Sequence, residues 1–153
     1  MKIIDLFSGA GGLTFGFYYR MRNHEFVRNR KNELIIVDGG RDIDADTILS
    51  YINKYGNGVV KHWYITHAHA DHVGALIKLI TNTEFDIKIE NLYYNFNDIK
   101  WYEQYDKRGY ETELSMINSL NSDKIINKVE CYENQIINMD NINCTILRVA
   151  NPE

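Results

Sequence analysis

Apolar positions along this chain fall into short continuous runs separated by amphipathic stretches, and the two kinds alternate. "LIIVD" at 34–38 is one such run, stopped by Gly39 and Gly40, and it predicts a buried strand. Ala45, Ile48, Leu49, Ile52 and Tyr55 then share one face of a predicted helix, with Asp44 placed to cap it and Gly56 to close it. "VVKHWYIT" at 59–66 is rich in β-branched and aromatic residues and predicts a second strand. Val73, Leu76, Ile77 and Ile80 form the stripe of another helix, and "IKIENLYYN" at 87–95 predicts another strand. Residues 98–121 read as helical, with Leu114, Ile117 and Leu120 facing inward. The tail alternates short strand candidates, "KVECYE", "QIINM" and "NCTILRV", with asparagine-rich turns. Ahead of all this, "KIIDLF" at 2–7 predicts a short strand, "SGAGG" a glycine-rich turn, and Leu13, Phe17 and Met21 a helix. Helices and strands alternate, so the expected class is α/β.

With 153 residues, 44% of them apolar and 25% charged, the chain has the size and balance of one soluble globular domain. No run approaches the roughly 18–20 apolar residues of a membrane span, and the first residues lack the layout of a secretory signal. Two cysteines, Cys131 and Cys144, are too few for a disulfide framework. They read as small apolar packing residues, and a cytoplasmic location is expected. The net charge of −4, with one short basic stretch at 20–31, argues against a dominant non-specific nucleic-acid footprint. It leaves open a small-molecule substrate or a nucleic acid reached through a metal. No internal repeat is present. The single proline, Pro152, follows a strand-like "ILRV", which gives the end of the chain an interrupted look.

The chemistry concentrates in "YITHAHADHVGAL" at 64–76, where His67, His69, Asp71 and His72 fall within six positions. Placed at a strand end, His67 and His69 would send both imidazoles to one side by two-residue alternation. Asp71 and His72 sit where the strand gives way to a helix. Imidazole nitrogen and carboxylate oxygen are the ligands of a zinc that keeps a position open for water, and the water so bound becomes a nucleophile near neutral pH. His62, further back on the same strand, reads as a partly exposed strand histidine.

"THAHADH" at 66–72 resembles the H-x-H-x-D-H motif of the metallo-β-lactamase superfamily, and "LIIVDGG" at 34–40 resembles the Asp-Gly-Gly strand end that precedes it there. The resemblance covers about residues 33–150. It implies the first half of an αββα sandwich, with His67 and His69 on a first zinc and Asp71 and His72 on a second. Asp38 would brace the site, and Asp38 and Asp71 are its expected catalytic carboxylates. "VDGGRDIDADTILSYI" looks most like the hydrolase domain of bacterial DNA-uptake (competence) proteins and their stand-alone relatives, which points to phosphodiester hydrolysis. The family completes its site with a later histidine, a bridging aspartate and a final histidine. The five histidines here are His24, His62, His67, His69 and His72, so none follows His72. The expectation is a partial site for one or two zinc ions, completed by a partner chain or a missing C-terminal half.

"IIDLFSGAGGLTFGF" at 3–17 is a second feature with a mechanism, because a strand, glycine turn and helix present backbone N–H groups to an anionic or nucleoside ligand. It resembles the first motif of the DNA cytosine-5 methyltransferases over about residues 1–32. By that likeness Phe7, Gly9 and Gly11 would line S-adenosylmethionine. No Pro-Cys dipeptide or Glu-Asn-Val stretch follows, so S-adenosylmethionine is not the expected cofactor of the chain as a whole. The sequence therefore divides into a methyltransferase-like strand-turn-helix segment at 1–32 and a truncated metallo-β-lactamase-like domain at 33–153. Three readings follow: a zinc-dependent hydrolase, a cofactor-binding methyltransferase fragment, and a catalytically incompetent half-domain.

Overall fold

The computed structural model of the protein describes Val27, Arg28, residues 31–147 and Val149. The expected "KIIDLF" strand, the glycine turn with Phe7, Gly9 and Gly11, and the helix after it lie outside the described residues. The first described element, β1 (Val27–Arg28), pairs antiparallel with β2 (Leu34–Val37). From there β2, β3 (Val59–Tyr64), β4 (Lys88–Tyr94) and β5 (Ile125–Glu130) run parallel and side by side in chain order. The crossovers are α1 (Ala45–Gly56), α2 (Ala70–Thr81) and the pair α3 (Ile99–Tyr105) and α4 (Lys107–Ser119).

Because the strand order never reverses, crossovers of one hand put their helices on one face of the sheet. There Leu34 and Ile36 of β2, Trp63 of β3 and Leu92 of β4 pack into one core with residues of α1, α2 and α4, among them Ile52, Leu76 and Met116. On the other face Ile35, Tyr64 and Tyr93 are covered by Ile137 and Met139 of a hairpin, β6 (Ile136–Met139) with β7 (Ile142–Thr145). Burial on both faces is why β2 is a continuous apolar run. Helices, a parallel sheet and a short second sheet make the partial α/β sandwich expected from the sequence. No helix among the described residues is long and apolar enough to cross a membrane.

Several details differ from the sequence expectation. Val60 and Trp63 both join the helix-side core although an odd number of steps separates them, and their cross-strand partners Ile89 and Leu92 do the same. The alternation therefore slips by one residue in both strands together. His62 is consequently buried and not half-exposed, its ring stacked on Tyr93 and its Nδ1 3.1 Å from the Tyr93 hydroxyl. Burial lowers its pKa.

At α1, Asp44 turns its carboxylate back to the Arg41 N–H at 2.9 Å, so it closes the preceding turn instead of capping the helix. The α1 C-cap is Asn57 in the left-handed region at φ 51°, not Gly56. The helix expected over 98–121 breaks at Asp106, whose carboxylate accepts the Gly109 N–H at 3.1 Å and starts α4 afresh. In α4 the deeply buried positions are Gly109, Glu113, Met116 and Ser119, while Leu114, Ile117 and Leu120 sit half-buried on the flank.

Candidate functional site

Three connections leaving the C-terminal ends of β2, β3 and β4 supply the side chains of interest, the end of a parallel sheet where ligands commonly bind. The first is the "DGG" turn. Asp38 takes a left-handed conformation at φ 54°, which Asp tolerates better than most residues, and Gly40 follows at φ 81°. Between them Gly39 lies on the buried Trp63. A Cβ there would stand 3.2 Å from the indole Cζ2, so a larger residue would require the turn or the ring to give by a few tenths of an ångström. The Trp63 indole N–H donates to the Asp38 carbonyl at 3.1 Å, and the Gly39 N–H donates to the His72 carbonyl at 2.7 Å. These bonds tie the turn both to the strand below it and to α2.

The Asp38 carboxylate is buried and fully engaged. One oxygen accepts the Thr66 N–H at 2.9 Å; the other accepts the Thr66 hydroxyl at 2.8 Å and His72 Nδ1–H at 2.7 Å. With its proton given to Asp38, the Thr66 hydroxyl oxygen faces His67 Nδ1 at 3.0 Å. β3 ends at Tyr64, so His67 and His69 lie in the connecting turn and are not carried on the strand by alternation. The turn still gathers the rings. His67 and His69 meet edge to face with centroids 4.7 Å apart, and His67 lies against His72 at 3.8 Å. Asp71 occupies the first turn of α2, near enough for its charge to act on His67.

His69 has a partner that the sequence reading missed. Its Nε2–H donates to Asp106 Oδ2 at 2.7 Å, and Asp106 reaches it from the break between α3 and α4. An aspartate placed to cap a helix at 106 was the available signal. It was hidden because α3 and α4 read as one continuous helix.

Burial, with the neighbouring His72 and His69, pushes the His67 pKa below the ordinary imidazole value, and Asp38 and Asp71 pull only partly against this. Asp106 is held below the usual carboxylate range, first by its hydrogen bond from His69 and then by the Gly109 N–H. His67 is therefore neutral at physiological pH, the form in which imidazole donates a lone pair.

The donors suit a divalent metal in kind. Each of the three rings has one nitrogen engaged by an oxygen: Nδ1 in His67 and His72, and Nε2 in His69. As arranged, no three His, Cys, Asp or Glu side chains among the described residues form a group that could hold a metal ion. Cys131 and Cys144 add nothing. Burial raises both thiols, Cys131 to about 11, and keeps them protonated among apolar side chains. Beside Asp71 a cleft of about 620 Å³ runs between α2 and α4, lined by Arg41, Asp71, Gly74, Ile77, Glu111 and Ser115 among others.

The family model described as the metallo-beta-lactamase superfamily matches residues 25–129, more than half of the chain. The chain belongs to the metallo-β-lactamase superfamily. The match takes in β1 through nearly all of β5, the Asp38 turn and the histidine cluster. It begins before Glu33, so β1 and its antiparallel pairing fall within the superfamily region. No curated protein and no solved structure matches the chain.

Proposed function

We propose that this chain carries one wall of a metal-dependent hydrolytic site, with zinc held by His67, His69, Asp71 and His72 and braced by Asp38. The observation that carries the reading is the way the rings are held. His72 and His69 each give one ring nitrogen to a carboxylate, Nδ1 to Asp38 and Nε2 to Asp106. Carboxylate-braced imidazole is the usual outer arrangement of metal-binding histidine. A bound zinc ion would supply Lewis-acid polarisation and a hydroxide nucleophile at neutral pH. The part played by this chain's residues is to hold three imidazole rings together, with Asp38 fixing the orientation of His72 through Thr66 and Nδ1.

The cleft beside Asp71 gives a substrate a place to lie, lined by the cationic Arg41 together with Asp42, Asp71 and Glu111. The likeness of "VDGGRDIDADTILSYI" to the DNA-uptake hydrolase domain makes a phosphodiester the proposed substrate class. Metal analysis of protein purified without chelator tests the reading. At least one zinc per chain is expected, and it should be lost in a His67→Ala/His69→Ala double variant that remains folded. Folded wild-type protein that takes up no zinc from a micromolar solution would overturn it.

A further inference from the structure

Asp106 reaches the site from the third connection, 37 residues beyond His69 in the chain. Its two oxygens do different jobs. Oδ1 accepts the Gly109 N–H at 3.1 Å, which anchors the carboxylate on the first turn of α4. Oδ2 accepts His69 Nε2–H at 2.7 Å. The geometry depends on Gly109: a Cβ there would stand 2.6 Å from Oδ2 and 3.1 Å from Cγ of Asp106. Any larger residue at 109 would displace the carboxylate from the position that faces His69. The arrangement parallels the one across the cluster, where Asp38 holds His72 from the β2 turn.

We propose that Asp106 is a positioning residue for His69. It fixes the ring in the tautomer protonated on Nε2, which keeps the lone pair on Nδ1, the atom that would hold the metal. The proposal rests on the reading of His69 as a metal ligand. A carboxylate that only accepts hydrogen bonds can hold the ring in one tautomer alone, and only that tautomer has a lone pair on Nδ1. An amide in its place has a single acceptor oxygen. If the Gly109 N–H keeps that oxygen, the amide N–H₂ faces Nε2, favours the opposite tautomer and places a proton on Nδ1.

The test compares wild type with Asp106→Asn, and with Asp106→Ser, which keeps a capping side chain too short to reach His69. The first readout is the ¹⁵N spectrum of the His69 ring in metal-free protein, and the second is zinc affinity by chelator competition. Expected are an Nε2–H tautomer in wild type, a shift to the Nδ1–H tautomer in Asp106→Asn at a retained unfolding midpoint, and zinc binding weakened about tenfold or more in both variants. An unchanged tautomer with unchanged zinc affinity would show that Asp106 only caps α4, and would overturn the proposal. If wild type itself binds no zinc, the metal reading of the site fails separately. The tautomer comparison then decides alone whether Asp106 orients His69.

Discussion

Glu113 gives the sharpest quantitative prediction. It lies on the inward side of α4 with no exposed surface, and neither carboxylate oxygen has a hydrogen-bond partner among the described residues. Desolvation raises its pKa from 4.5 to about 7, and the nearby Tyr102 hydroxyl, short of a formed hydrogen bond, offsets this only in part. Between those two values the folded chain keeps a proton that the unfolded chain has released, so raising the pH favours unfolding. The stability is fully present below about 4.5 and is lost as pH rises through about 7. The displacement corresponds to a loss on the order of 3 kcal/mol across that window. Glu113→Met fills similar volume with no ionisable group and should remove this slope. Urea unfolding of both proteins at about pH 5 and about pH 8 measures it. The variant's advantage over wild type should grow by a few kcal/mol from the lower pH to the higher one. His62 and His67, also shifted by burial, are common to both proteins and cancel in the difference. An advantage of the same size at both pH values would refute the reasoning.

Three further predictions follow from single contacts. Asp38→Asn keeps a residue that accepts the left-handed backbone but leaves one acceptor for three donors, and should cost about 2–4 kcal/mol in chemical denaturation. Gly74→Ala should destabilise by roughly 1–3 kcal/mol despite alanine's better helix propensity, because its Cβ would stand 2.7 Å from the Asp42 backbone nitrogen; thermal unfolding reads this out. Lys124→Met removes the ammonium bound to the carbonyls of Leu79 at 3.0 Å, Asn82 at 2.5 Å and Phe85 at 2.6 Å. Hydrogen exchange should quicken at the C-terminal end of α2, with a global loss of about 1–3 kcal/mol.

The order of elements and the α/β class were legible in the sequence because both signals are local. "LIIV" is apolar throughout because its strand is covered on both faces, and the α2 stripe of Val73, Leu76 and Ile80 repeats every three to four residues because one side of the helix meets the sheet. The histidine cluster was legible for the same reason, since its four residues lie within one turn and the start of one helix. The pairing of Asp38 with His72 needs only two neighbouring parallel strands, and the superfamily resemblance already implied its bracing role.

What the sequence alone could not decide is what depends on distant segments meeting. Alternation puts no mark on the shift in side-chain facing, shared by β3 and β4 at an unchanged register, that leaves His62 buried against Tyr93. Helical periodicity marks Leu114, Ile117 and Leu120 as inward, yet the docking of α4 buries Glu113 and Met116 instead. Nothing near residue 69 announces Asp106, whose approach needs the break between α3 and α4, a glycine at 109 and the packing of those helices over the sheet. The sequence determined which side chains are candidates for the chemistry, because residue type and short spacing are properties of the chain. The tertiary structure decided which ring nitrogen of His69 and of His72 faces a carboxylate, because Asp106 and Asp38 come from other connections.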